Sequence, residues 1–506
     1  MLGRCSGWKI SGLVISLLSS SCALAEGWSA YSSDNFTLYS DAPETETKEL
    51  LEKFELFRDT ALSVLGLQNQ PENQRLVIVV YDDARDFGRI SPRSDLAGFF
   101  YDSIFGPRML LRETSRDASA QQVLFHEYVH YLMNHRSTLN YPRWYSEGLA
   151  TVLMTTEIGD STISIGVPPP GYPRAIRLGF RPTVHDVVTV EADTRGDFYL
   201  TSWLMSHYFL LADQTRHEQT GDYLRRYDAG EDPVEAFKTS YGITTTTMDR
   251  EIAAYGRRPT LRGLFAPRHQ YAGELSTRAL GADEALLLLL DIAVERDEYD
   301  AAQFYFDEAN ALDAESPYRA KLLARLAIAR VHEQNVGDGD ELIARLLEEG
   351  SEDPQVLGDI AHYAFDKFVE IKTGREDGSA TAELDRAIQF GLRAVEADAA
   401  NLEAHYYLGL SYEAAGQLQN AADTLLGGYD LNPTSPRLNL ELTRVLIKGR
   451  QHELASYLLR RLISASHADA WRGELRAIID DLEDGVADVA QHKTLTPPWQ
   501  KTAEPP

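Results

Sequence analysis

Cysteine is nearly absent: among 506 residues only Cys5 and Cys22 carry a thiol, and both fall within the first twenty-five. If that segment is removed, the mature chain can form no disulfide and offers no thiolate to a metal, so a metal site must be built from His, Asp and Glu. Long apolar runs are missing as well. Beyond the N-terminus nothing approaches the ~18 consecutive apolar residues of a membrane-spanning helix, so the mature chain is expected to have none. The third shortage is positive charge, with 49 Lys and Arg against 77 Asp and Glu and a formal net charge of −28. That balance argues against nucleic acid and against anionic lipid as partners.

The N-terminus reads as a secretory signal covering residues 1–25. Arg4 and Lys9 precede an apolar stretch from Ile10 to Leu18, small residues follow, and Ala23-Leu24-Ala25 stands before Glu26, which is the three-part pattern of a cleaved leader. An exported, periplasmic or cell-envelope protein is expected. A lipidated Cys22 is the weaker reading, because Leu18 sits one place too early for a lipobox.

From Glu26 to Arg258 the pattern is mixed α and β. Asn35–Tyr39 is strand-like, and Glu44–Leu65 is an amphipathic helix. Leu76-Val77-Ile78-Val79-Val80 is apolar throughout, as a strand covered on both faces should be. A polar loop follows, and then Ala97–Tyr101 and Arg108–Arg112 are placed to pair as a hairpin around Phe105-Gly106-Pro107. Ile163–Arg195, with Pro168-Pro169-Pro170, reads as a loop-rich insertion. Helices return at Asp197–Leu211, Pro233–Ser240 and Thr247–Tyr255, and residues 259–275 read as a linker.

Residues 276–482 change character to paired helices rich in Ala, Leu and Glu. Leu408-Gly409, Tyr412, Ala421, Leu425 and Pro433 fall on the thirty-four-residue tetratricopeptide (TPR) template, and Leu442, Leu446, Ala455 and Leu459 repeat it. About five repeat-like units are expected, one of them degenerate between Pro317 and Gly350, and another with an insertion around Lys372–Ser379. The tail, 483–506, is expected to be disordered. Such stacks bind peptides or proteins, so a protein partner is expected for the array.

Ala118–His135 is apolar nearly all round and therefore buried, yet it carries His126, Glu127 and His130. Two imidazoles four apart on a helix point the same way and can hold one divalent ion, whereas Glu127 lies one step round and can reach only a water on it. Burying three such groups without a ligand would cost roughly 1–3 kcal/mol for each left unsatisfied. Zinc chemistry wants a third protein ligand and an open position. His135 stands at the wrong offset. Glu147 is better placed: Pro142 suits the first turn of a new helix, Asn140 or Tyr141 its N-cap, and Gly148 and Ala150 would let that helix pack closely on the first.

His126-Glu127-x-x-His130 followed by Pro142-Arg143-Trp144-Tyr145-Ser146-Glu147-Gly148 resembles the peptidase MA-like domains of the gluzincin superfamily, relatives of thermolysin and the zinc aminopeptidases. The resemblance covers roughly Phe36–Tyr255. It implies zinc on His126, His130 and Glu147, with Glu127 as general base in peptide-bond hydrolysis. It also implies an oxyanion donor, for which Tyr199 is the first candidate and Tyr208 and His207 the others. Thr151 stands where thermolysin-like enzymes carry a histidine-orienting aspartate. His185 has no assigned role. The expected fold is α+β: a gluzincin-like metallopeptidase domain with a small mixed sheet, followed by an all-α TPR-type superhelix. The expected function is that of an exported zinc metallopeptidase whose repeats recruit a protein substrate, the alternative being an inactive TPR envelope scaffold with a vestigial metal-binding domain.

Overall fold

A computed structural model describes residues 27–69, 75–91, 96, 98–112, 118–137, 139–179, 183–189, 196–212, 214–258, 263–310, 316–332, 336–375, 378–465 and 469–483. The expected leader and all of the expected tail beyond Glu483 lie outside the described residues.

The first half opens with β1 (Ser29–Ser32), β2 (Phe36–Ser40), α1 (Glu44–Leu65), β3 (Leu76–Tyr81), α2 (Ala84–Ile90), β4 (Gly98–Ser103) and β5 (Gly106–Arg112). It continues through α3 (Ala118–Arg136), α4 (Arg143–Met154), β6 (Glu157–Ile158), β7 (Thr162–Ile165), α5 (Tyr172–Leu178), α6 (Val184–Thr189), α7 (Gly196–Leu211), α8 (Gln214–Asp228), α9 (Pro233–Tyr241), α10 (Thr245–Gly256), β8 (Leu264–Pro267) and β9 (Ser276–Ala279). The main sheet has the order β4-β5-β3-β2-β1-β9, with β2, β3 and β5 mutually parallel and the outer strands antiparallel. A second sheet has the order β6-β7-β8. The mixed sheet expected from the sequence is therefore present.

Strand parity decides what each face of the main sheet meets, because successive side chains point to opposite sides. Leu76, Ile78 and Val80 of β3, with Met109 and Leu111 of β5, join one core with α1 and α3. There Phe57 stacks on Phe125 at 3.6 Å and Phe36 lies 5.5 Å from Tyr128, so aromatic packing fixes α3 on the sheet. Val79, Tyr81 and Leu110 point the other way, into a second core shared with α2 and the first helices of the C-terminal half.

That half comprises α11 (Ala282–Glu295), α12 (Tyr299–Asn310), α13 (Arg319–His332), α14 (Val336–Glu349), α15 (Pro354–Lys372), α16 (Ala380–Ala397), α17 (Leu402–Ala414), α18 (Leu418–Leu431), α19 (Pro436–Lys448), α20 (His452–Ala465) and α21 (Asp469–Glu483). Consecutive helices pack as pairs up to α19 and α20, while α11, α13, α15, α17 and α19 also touch one another in a continuous inner row. α17 and α19 begin thirty-four residues apart, the TPR period. Gly409 is where a pair closes, since a Cβ there would fall 2.5 Å from Leu425. The degenerate stretch still forms a pair, α13 with α14, and the sequence insertion is the break between the long helices α15 and α16.

Several boundaries differ from the sequence reading. β8, inside the expected linker, pairs with β7, and β9, assigned to the repeats, is an edge strand of the first sheet. Among the described residues no free linker separates the halves, because α11 closes over the sheet. The loop after β3 contains α2, capped by Asp83 and anchored by buried Phe87 and Ile90. The insertion expected as loop holds β7, α5 and α6. The hairpin turns at Ile104-Phe105, with Ser103 paired to Gly106.

That hairpin tip enters the inner row of the array. Ile104 is buried in one hydrophobic cluster with Leu402, Tyr406 and Tyr407 of α17, and the Arg325 guanidinium of α13 lies 4.9 Å over the Phe105 ring. Arg108 pairs with Glu295 of α11 at 2.7 Å, and the Tyr101 hydroxyl donates to the same carboxylate. At the far end, Arg461 of α20 donates to the Asn134 carbonyl in the last turn of α3 at 2.6 Å. A cation at a helix C-terminus satisfies carbonyls that lack intrahelical partners.

Candidate metal centre

The expected third ligand meets the expected first two. α4 begins one residue later than expected, at Arg143, with Pro142 itself at the N-cap. Asp228 of α8 receives both the Asn140 backbone N–H and its side-chain amide at 2.9 Å, which pins the turn between α3 and α4. Gly148 brings α4 against α7 rather than against α3: a Cβ there would lie 2.2 Å from the Ser202 carbonyl oxygen. This close crossing seats Glu147 over the histidine face of α3.

The resulting geometry is compact. His126 Nε2 and His130 Nε2 are 3.1 Å apart, and Glu147 Oε2 lies 3.3 Å from the first and 3.5 Å from the second. Four ligands around zinc at 2.0–2.1 Å stand about 3.4 Å from one another. The three edges match that figure, and two imidazole nitrogens with a carboxylate oxygen are a hydrolytic-zinc donor set, so these residues fit the ion. His130 and Glu147 are buried and His126 is half-buried, so His126 is the most exposed of the three. Glu127 is half-buried beside them.

Two contributors were missed in the sequence. Ser146 Oγ is hydrogen-bonded to His130 Nδ1 at 2.9 Å, which turns the opposite nitrogen toward Glu147. Thr151, at the position of the expected orienting residue, instead donates to the Glu147 backbone carbonyl at 2.7 Å. Arg143, one turn ahead of Glu147, lies 3.9 Å from its Oε1 and 4.9 Å over the Phe198 ring. The signals were legible, since Arg143 and Glu147 are i,i+4 on one helix and Ser146 adjoins the ligand.

Of the oxyanion candidates, Tyr199 is at the site. Its phenol is pushed above the ordinary range by burial and then by Glu147, against a hydrogen bond from Arg143. It is thus an O–H donor at neutral pH. His207 is placed elsewhere: it is buried, with Nδ1 on the Tyr255 hydroxyl at 2.7 Å and Nε2 on the Gly166 carbonyl at 3.0 Å, and burial lowers its pKa to about 4. Tyr208 faces Glu251, His185 faces Thr245, and His135 stacks on Tyr131. Among the described residues His126, His130 and Glu147 form the metal-capable cluster.

Compared with protein families and with curated proteins, the sequence finds no match. Among the solved structures that resemble it, one is described as a TPR protein. A thermophilic TPR protein of Thermus thermophilus is 17% identical over 40% of this chain and 98% of its own, with a TM-score of 0.32. A MamA mutant is 17% identical over 37% of this chain and 100% of its own, with a TM-score of 0.25. PilF of Pseudomonas aeruginosa is 20% identical over 43% of this chain and 92% of its own, with a TM-score of 0.31. Scores of this size carry neither the fold of the N-terminal half nor a function across.

Proposed function

We propose that this protein is a zinc-dependent hydrolase of peptide bonds, of the gluzincin type, joined to a protein-binding helical array and exported to the cell envelope. The observation that carries the reading is the convergence of His126 Nε2, His130 Nε2 and Glu147 Oε2 at 3.1, 3.3 and 3.5 Å. These three would hold the ion, which when bound supplies a Lewis acid and lowers the pKa of a water towards about 7.

The remaining chemistry belongs to the chain. Glu127, one position past His126, accepts a proton from the attacking water and returns it to the leaving amine. Ser146 holds the His130 ring in orientation through Nδ1. Arg143 steadies Glu147 and Tyr199 together, and the Tyr199 hydroxyl donates to the oxygen on which charge develops as the carbonyl is attacked. The array contributes a protein-binding surface. Its inner row already holds the β4–β5 hairpin, so a substrate or partner protein would use what that hairpin leaves uncovered.

A second reading is a catalytically inactive envelope scaffold. The seating of both the hairpin and the end of α3 on the array favours it, because a scaffold needs its parts packed as one body. Metal analysis and peptide-library cleavage on the same preparations separate the two. The peptidase reading expects about one zinc per chain, lost in His130→Ala, and cleavage abolished in Glu127→Gln with zinc retained. Equal inertness of wild type and Glu127→Gln with zinc bound would select the scaffold, and failure of wild type to take up zinc on reconstitution would sink the metal site altogether.

A further inference from the structure

The net charge conceals an uneven distribution. From Ser161 to His185, and again from Ile252 to Gly273, the sequence contains no Asp or Glu, yet it places three arginines in the first stretch and four in the second. In a chain with 77 acidic residues, these two segments are islands of one sign. Arg174, Arg177, Arg257 and Arg258 are exposed, and among the described residues none of the four forms an ion pair with a carboxylate. Arg268 is engaged with Glu52 and is not counted with them.

The fold brings the two islands to one corner. Gly256, at the end of α10, sits where a Cβ would meet Ile176 of α5 at 2.6 Å, so Arg257 and Arg258 emerge beside Arg174 and Arg177. Leu264 of β8 pairs with Ile165 of β7. The next residue, Gly166, bonds His207, which in turn holds Tyr255 of α10, and the Arg258 guanidinium lies 4.9 Å over the Tyr255 ring. Glu157 and Asp160, on β6 and in its turn, bound the corner on one side.

The two acid-free segments also carry exposed apolar side chains. Leu178 is 58% exposed, Leu264 53% and Phe265 65%, and among the described residues no other large hydrophobic side chain is more than half exposed. Single exposed apolar residues need no explanation, but the three most exposed all falling within the two acid-free, arginine-bearing segments do.

We propose that this corner docks the protein on an anionic membrane surface, with Leu178, Leu264 and Phe265 entering the headgroup boundary and the surrounding guanidinium groups meeting lipid phosphates. Apolar tips ringed by cations are the chemistry of interfacial lipid binding. The acidic remainder of the chain is repelled by the same surface, so the charge asymmetry turns the basic corner toward it. A second copy of the chain fits less well. Leu264 and Phe265 are consecutive in a strand and point to opposite faces, yet both are bare, and Pro267 offers no N–H for strand addition at the β8 edge. The exclusion of anionic lipid drawn from net charge holds only for evenly spread charge. This proposal does not depend on the hydrolase reading.

The test is co-sedimentation of the full protein with phosphatidylcholine vesicles, with and without phosphatidylglycerol. Binding is expected only to the anionic vesicles, weakening as salt screens it. Leu264→Ser with Phe265→Ser, and separately Arg257→Glu with Arg258→Glu, should each reduce binding at least about tenfold, a loss of about 1.4 kcal/mol. Because all four side chains are exposed, unchanged melting curves will show that the variants fold, and either pair alone can decide. Absence of binding to anionic vesicles, or variants that bind like wild type, overturns the proposal. So does light scattering that shows a dimer dispersed by the Leu264/Phe265 pair without any vesicle binding, which would assign the corner to self-association.

Discussion

Two groups of buried ionisable side chains, one on α3 and α4 and one inside the array, are completed in opposite ways. In the array, Arg325 of α13 reaches Asp291 of α11 at 2.8 Å, Asp359 of α15 at 3.2 Å and Glu403 of α17 at 2.8 Å, while His362 bridges Glu403 and Asp366 at 2.7 and 2.9 Å. Burial pushes Asp359 well above the carboxylate range. Glu403 is just as buried, but Arg325 and His362 hold it well below that range. The protein supplies both signs of charge there, and the cluster ties four repeats together. On α3 and α4, by contrast, the atoms that converge are two imidazole nitrogens and a carboxylate oxygen. Groups aimed at each other's opposite charges make a structural cluster, and groups aimed at a common point make a candidate ligand set.

The largest expected effect separates the two directly. Glu127→Gln should lower kcat/KM for peptide cleavage by about 10²–10⁴ while metal content and unfolding midpoint stay put; a variant that keeps its activity would remove Glu127 from the chemistry. Arg325→Met should leave bound metal unchanged but cost about 3–5 kcal/mol in denaturant unfolding, because it strands buried carboxylates. If chelation of metal and this substitution lowered stability by the same route, the two clusters would not be independent.

The next contrast is in pH. His207 has its pKa lowered to about 4 by burial, so the folded state prefers its neutral form. Its contribution is fully present above the unfolded value near 6.5 and is lost as pH falls from there to 4, by about 3 kcal/mol. His362 is opposite. Burial disfavours its charge, yet Asp366 and Glu403 raise its pKa, so its contribution is present below about 6.5 and fades as pH rises through the higher folded value. Unfolding measured across pH on His207→Asn and His362→Asn should therefore flatten the acid and the alkaline limb respectively. The smallest effect is expected at Ser146→Ala, which should weaken zinc about 10–100-fold in competition with a chelator and leave the array untouched. Unaltered zinc affinity would mean that Ser146 does not orient His130.

Much of this was legible in the sequence. α1 has the bounds that its apolar spacing and the αL glycine Gly66 imply, and α3 ends one residue beyond the expected His135. Glu147 was legible because Pro142 announces a helix and sets its phase. α8 escaped notice because it buries little beyond Tyr223 and Leu224 and so shows no apolar stripe. α2 escaped because a seven-residue helix with two buried side chains is too short for periodicity to stand out. Gly148 has the close-packing role its sequence position implies but meets α7 rather than α3, since a missing Cβ indicates a close approach without saying what approaches.

The sequence by itself determined the donor types of the candidate metal site, the phase that puts His126 and His130 on one face, the repeat period, and that β3 is covered on both sides. All of these are local, because periodicity and spacing are properties of a few turns of chain. Only the tertiary structure decided that the second face of β3 is covered by the array, and that α7 meets Gly148. It also decided that Ser146 rather than Thr151 touches the histidine pair, and that two acid-free segments separated by sixty-six residues come together where α5 meets the end of α10. Burial patterns specify that a surface must be covered, and the covering element is chosen by long-range packing that no local pattern encodes.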